Sequence, residues 1–401
     1  MKITTRIKPF RGTYYNPSKF KSLSNVSCPP YDVINPAKLA MLRKKSPYNF
    51  TNIILADRGD YKTVGKRFDN WLREKILIDD DKESFYLYEQ KFTCDKKTYR
   101  RFGLLSLLEM KSSIFPHEHT LTKPKQDRKR IIETVKANLD PIFVIVPKPV
   151  KALRYAYTKY SKKKPFFKFR DCDGNANILW KIQEHGEIKK IRAAIEKSNL
   201  VIADGHHRFE VANDYYKRNK NKFGDLNYVL AYVTDAQPGL VILPTHRVIK
   251  MRATGAQILE SLGEYFSTAE ISEGRLNNAL KHKNNNFEFA LYHHKKFYFL
   301  KLKKRSFTDK IDADPAYKKL DTFLLHQFVL PLLSGEGEIQ YTHSIREAKK
   351  ISGADKFAFI LKPVSLATIF EIADKGYRFP QKSTYFQPKV FSGIILRRFR
   401  T

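Results

Sequence analysis

Six consecutive residues, Ala203-Asp204-Gly205-His206-His207-Arg208, bring together a carboxylate, a glycine, two imidazoles and a guanidinium. The run NLVIAD (199–204) before the glycine reads as a short apolar strand. Phe209 to Tyr216 after it has helical character, so Gly205 falls in a tight turn that leads into a helix start. The first N–H groups of a helix have no intrahelical partner and carry the positive end of its dipole. A glycine at that point lets an anion approach the backbone, which is the geometry of phosphate binding. Arg208 can add bidentate hydrogen bonds to the same oxygens. His206 and His207 can donate as well, or one of them can move a proton. The same residues also suit a plain Asp-Gly turn in which Asp204 caps the helix.

Two further groups are candidates. Pro116-His117-Glu118-His119-Thr120 sets three titratable side chains shortly before Lys123, Lys125 and Arg128, a pattern suited to acid–base work on an anionic substrate. An alternative joins His117 and His119 with His206 and His207 as metal ligands, but the helical metalloprotease spacing is missing. Lys382, Ser383, Thr384 and Lys389 lie in a loop stiffened by Pro380 and Pro388, where two ammonium groups and two hydroxyls suit phosphate contacts; a solvated loop is the alternative. There is no Cys-His or Ser-His-Asp nucleophile signature, and no Walker or Rossmann glycine pattern.

The elements that must hold these groups are read from periodicity. Tyr61 to Ile78 is predicted as an amphipathic helix, with Val64, Phe68, Trp71, Leu72 and Ile76 on one side. SFYLYEQKFTC and TYRRFGLLSLLEM form a predicted hairpin across DKK. QDRKRIIETVKAN and KALRYAYTKYSK are predicted helices, and PIFVIVP, LNYVLAYVTD and GLVILPTHRVI strands. Residues 1–60 are rich in turn formers. From about 252 the pattern changes to helix TGAQILESLGEYF, hairpin FEFALYHHKKFYFLKLKK and one long helix opened by Asp314 and Pro315. Strand and helix then alternate. This implies a mixed α/β (α+β) chain of two domains, 1–252 and 253–401.

The 401 residues, 42% hydrophobic and 13% aromatic, suffice for sizeable cores. Lys and Arg number 75 against 41 Asp and Glu, a formal net charge of +34, which attracts anions of any kind. The lysines are spread along the chain instead of gathering on one element, so nucleic-acid binding, if any, is expected to be non-specific. Cys28, Cys94 and Cys172 are too few and too scattered for a disulfide framework or a zinc site, which fits a reducing cytoplasm. MKITTRIKPFRG lacks the apolar run of a secretory signal, and no stretch approaches a membrane span.

PPYDVI (29–34), PHEHTLTKPKQDR (116–128), IADGHHRFEVA (202–212), LPTHRVI (243–249) and FPQKSTYFQPK (379–389) occur in this order. Together they resemble the family known as domain of unknown function 1015, with a departure at Phe379, where relatives often carry methionine. The DGHHR element is also similar to that of free-serine kinases of the ParB and sulfiredoxin-like superfamily. That resemblance implies a ParB/sulfiredoxin-like N-terminal domain, a nucleotide phosphate loop, a catalytic glutamate and phosphorylation of free L-serine. On this basis ATP, ADP or pyrophosphate rests on Gly205, His206, His207 and Arg208, with Mg2+ and with Asp204 as a metal or substrate ligand. Glu118 is the expected base, aided by His119 or His206. Asp32, His117, Thr120 and His246 are expected around the substrate. Lys382 and Lys389 are expected to face the Gly205 turn. The rival readings are a ParB-like nucleotide-dependent nucleic-acid binder and a metal-dependent hydrolase. Oligomeric state is left open.

Overall fold

The computed structural model describes residues 5–116, 122–280, 287–309, 311–333, 339–380 and 382–400. These divide into two units. The first holds residues 5–116, 122–241 and 388–400, and the second holds 242–380 and 382–387. Residues 242–252 therefore group with the second unit, and residues 388–400 return to the first.

Local chemistry explains most of the elements. Asp60 accepts a hydrogen bond from Thr63 N (3.0 Å) and starts the helix Tyr61–Arg73, which buries Val64, Phe68 and Trp71. The helix stops before the predicted Ile78, because Lys75 takes a left-handed conformation (φ 54°) and Leu77–Asp79 becomes a strand against Thr13–Tyr15. The predicted hairpin is present as Phe85–Cys94 and Lys97–Glu109, with Asp95 and Lys96 both at positive φ. A two-residue loop of that kind matches the natural strand twist. Within the turn-rich start, Asn35 caps a helix at Pro36–Lys45 that apolar periodicity does not show. The strand Ala176–Ile182 and the helix His185–Glu196, which buries Ile188, Ile191 and Ile195, also lie outside the predicted set.

The first unit is built on a mixed sheet. Across it run Ile114–Phe115, Leu200–Asp204, Ile142–Val146, Tyr228–Asp235, Lys97–Glu109, Phe85–Cys94, Ala176–Ile182 and Phe167–Arg170, with Ile7–Lys8 on the far end of Lys97–Glu109. Tyr228–Asp235 runs parallel to Ile142–Val146, whereas Leu200–Asp204 runs antiparallel to it. One face packs its aliphatic residues (Leu87, Leu104, Val144, Ile202, Val233) against Leu153, Ile191 and Ile195 of flanking helices. Five buried residues in succession, Ile142–Val146, mark a strand covered on both faces.

The second unit contains a six-stranded sheet in which every described pairing is antiparallel: Phe266–Ile271, Lys296–Leu302, Glu288–His293, Lys356–Ile360, His246–Lys250 and Ile339–Thr342. Thr254 and Gln257 form a reciprocal capping box at the helix Gly255–Gly263. The single long helix expected after Pro315 is instead broken. A 3-10 turn at Tyr317–Lys319 ends at extended Leu320, and Asp321–Leu324 leads into a π turn at Leu325–Val329 before Leu330–Leu332. Pro331 has no N–H for the carbonyl one turn back, so the regular hydrogen-bond ladder cannot pass through it. Among the described residues, no helix is long and apolar enough to cross a membrane.

Candidate functional site

The strand Leu200–Asp204 does not run regularly to its end. Ile202 pairs with Val144, but Asp204 pairs with the next residue, Phe143, so Ala203 is an extra residue in the ladder. A bulge of this kind re-aims the side chain that follows it. Asp204, after the bulge, is less enclosed than residues 200–203, all four of which are buried. Gly205 follows with φ 91°, a left-handed conformation that favours glycine, and the helix His206–Asn219 begins directly after it. Gly205, at the N-cap, has no side chain with which to cap that helix start.

Cations surround the Asp204 carboxylate. Arg208, one turn along the helix, donates through Nη2 to Oδ2 and through Nη1 to the Pro141 carbonyl. Lys389, from the returning C-terminal segment, donates to Oδ1. The side chains of Asp204, Arg208 and Lys389 are 14%, 10% and 8% exposed. Burial works against the charge on Asp204, but Lys389, Arg208 and His206 outweigh it and hold its pKa far below the usual carboxylate range. Burial likewise opposes the charge on Arg208, while Asp204, Asp140, Asp32 and Tyr31 together raise its pKa. A Cβ on Gly205 would lie 3.0 Å from Arg208 Nε and Nη2, so the guanidinium packs against the bare face of the glycine.

Lys389 is held by residues that no motif marks. Arg101, wholly buried in the strand Lys97–Glu109, donates through Nη2 to the Pro388 carbonyl and to Gln90 Oε1. Gln90 Nε2 donates to the Lys389 carbonyl (3.0 Å). The Arg101 guanidinium lies over the Phe143 ring (4.7 Å), and burial lowers its pKa. An arginine inside a strand of apolar residues was the available signal. Nearby, Tyr31 and Asp32 form a 3-10 turn, and Arg128 stacks on Tyr31 (4.0 Å) while donating to the Ile54 carbonyl and to Asp127.

The remaining candidates are distributed as follows. His206 is buried, and Glu210 pairs with Lys125. His117, Glu118, His119 and Thr120 lie outside the described residues. Lys382, Ser383, Thr384 and His246 belong to the second unit. There the Lys382 carbonyl accepts from Arg247 (3.2 Å), and Ser383 donates to the Pro380 carbonyl (2.7 Å). His246 is 1% exposed, its Nδ1 accepts from Leu361 N, and burial pushes its pKa down to about 3, so it is a neutral core imidazole. Among the described residues no group of three His, Cys, Asp or Glu converges as metal ligands, and both Asp204 oxygens already face cations.

The order of motifs in this arrangement has a counterpart. A family model described as protein of unknown function (DUF1015) matches residues 7–323. The chain belongs to that family. Comparison of this DUF1015 protein with curated proteins finds no match. Among solved structures it is similar to C-terminally truncated SbnI from Staphylococcus aureus, with 12% identity over 72% of this chain and 85% of that one and a TM-score of 0.40. It is also similar to a free serine kinase variant in complex with ADP, with 14% identity over 68% and 84% and a TM-score of 0.36. A conserved hypothetical protein from Pyrococcus furiosus has 16% identity over 69% and 89%, with a TM-score of 0.35.

Proposed function

We propose that this DUF1015 protein is a phosphotransferase that moves a phosphoryl group from ATP, ADP or pyrophosphate to the hydroxyl of free L-serine. The observation that carries the reading is the Gly205 turn: a helix start whose N-cap is a left-handed glycine, with Arg208 and Lys389 fixed beside it by one carboxylate. Backbone N–H groups and the helix dipole attract phosphate oxygens there. Arg208 and Lys389 are held in place before any ligand arrives, so little reorganisation is needed as charge develops on the transferred group. We also assign the first unit to the ParB/sulfiredoxin-like class on the strength of its DGHHR element.

In the proposed step the serine oxygen attacks the terminal phosphorus and the bond from phosphorus to the leaving oxygen breaks. The hydroxyl proton passes to Glu118, whose role rests on its setting in the sequence. Asp204 does not fit as a magnesium ligand, because its two oxygens are taken by Lys389 and Arg208; its work is to orient those cations. The wider surface, at +34, would give nucleic acids a salt-sensitive and sequence-blind association. The deciding experiment is incubation with L-serine and each of the three donors, followed by detection of O-phosphoserine. Absence of phosphoserine with all three refutes the reading.

A further inference from the structure

The basic run SKKKPFFKFR (161–170) takes no part in the Gly205 site. It turns at the end of the helix Lys151–Tyr160 and enters Phe167–Arg170, the last strand of the mixed sheet. That strand pairs antiparallel with Ala176–Ile182 on one side. Its other side makes no main-chain hydrogen bond among the described residues. Such an edge offers alternate N–H and C=O groups to a further strand. Phe167 and Phe169 are buried, whereas Lys168 and Arg170 are exposed, so alternation sets both cations on one face. Lys162 and Lys164, exposed as well, add charge just before the strand.

The acids of the neighbouring turns are already engaged. Asp173 pairs with Lys38 (2.9 Å), Glu184 with Lys159 and Lys163, and Asp171 accepts from Asp173, Asn175 and Asn177. Lys162, Lys164 and Lys168 form no ion pair among the described residues, and Arg170 donates only through Nη1 to the Gly174 carbonyl (3.0 Å). A second copy of this edge is a poor partner, because like charges set opposite each other destabilise a strand pair. Single-stranded nucleic acid wants open ring faces for its bases. Here Phe167 and Phe169 are buried, and Phe166 has Lys181 over its ring (4.1 Å) and Tyr14 against it (4.7 Å). Lysines on an edge discourage neutral or basic strands; an acidic strand turns the same charges into attraction. We propose that the edge of Phe167–Arg170 docks an extended acidic peptide segment of a partner protein as an added strand. Its main chain completes the ladder, and carboxylates at alternate positions face Lys168 and Arg170. This surface does not rest on the phosphotransferase reading.

The test is fluorescence anisotropy of the full chain with three labelled peptides of one composition. The first is Glu-Val-Glu-Val-Glu-Val-Glu, the second the same peptide N-methylated throughout, which removes the main-chain donors, and the third Glu-Glu-Val-Val-Val-Glu-Glu, which removes the alternation. The second and third should bind at least tenfold more weakly than the first. The double variant Lys168→Glu/Arg170→Glu should lose at least tenfold in affinity for the first peptide and gain affinity for Lys-Val-Lys-Val-Lys-Val-Lys, a reversal that misfolding cannot produce. No binding of the first peptide, or equal binding of all three, would overturn the proposal and leave only a diffuse surface charge. Tighter binding of single-stranded oligothymidylate, lost in the same double variant, would overturn it in favour of nucleic acid. The wild-type series stands even where the variant fails to fold.

Discussion

Lys389 donates to Asp204 across 185 positions of sequence, and the pair lies almost entirely out of water. Removing one partner from a buried pair strands the other charge, at a typical cost of ~3–5 kcal/mol. Arg208 stays on the other oxygen of Asp204, so Lys389→Met should cost about 3 kcal/mol, the low end. The double variant Asp204→Asn/Lys389→Met should recover part of that loss, giving a coupling of about 1–3 kcal/mol. Denaturant midpoints of the two single variants and the double variant measure it; strict additivity would mean the contact contributes nothing.

Gly205→Val should weaken donor binding at least tenfold in a protein that still folds. The left-handed conformation costs a residue with a side chain about 1–2 kcal/mol, and the new Cβ meets Arg208 at 3.0 Å. Arg208 can swing aside, so the strain falls on the site more than on the core. ADP titration and thermal melting check both halves, and unchanged ADP affinity would remove the turn from the donor site.

Glu118→Gln keeps the side-chain shape and removes the base. Turnover should fall ~100-fold or more, with donor affinity little changed. Near-normal turnover would assign the proton to another carboxylate, with Glu210 next to be tested.

The contribution of Asp321 to the stability of the second unit should be lost as pH rises from about 4 to 7. Burial pushes the Asp321 carboxyl up to about 7, opposed by Lys362 and reinforced by Glu288. An unfolded aspartate titrates near ~3.9, so the folded state holds the proton more tightly across this window. The stabilising contribution is complete below the unfolded value and is lost as pH passes through the folded one. His246 and His326 act in the opposite sense, since burial lowers them to about 3 and about 4 and their contribution is lost on acidification. Asp321→Asn isolates the carboxyl. Its stability relative to wild type should be greater at pH 8 than at pH 5, and an equal difference at both would refute the assignment.

Much of the framework was legible because it is local. Alternation marked Phe85–Cys94 and Lys97–Glu109, a 3.6-residue period marked Tyr61–Arg73, and the strand-glycine-helix order marked the turn at Gly205. The helix Pro36–Lys45 was hidden by its composition, for it buries only Leu42 and has almost no apolar stripe to read. The break after Pro315 was hidden for a different reason. Residues 321–332 carry enough leucine to look continuously helical, and only the hydrogen bonds show where Pro331 and the π turn interrupt the ladder.

By itself, then, the sequence determined many of the element types, the mixed α/β character and the glycine turn, because each follows from residue period and backbone freedom within a few positions. Only the tertiary structure decided which charges meet. Nothing near Asp204 foretells the bulge at Ala203, since a register shift depends on the partner strand Ile142–Val146. Nothing near Lys389 foretells that Arg101 and Gln90 hold its backbone beside Asp204, or that Asp140 is buried. Charged residues read as solvated until a fold encloses them. Burial of a charge is settled by contacts between distant segments, which no local pattern records.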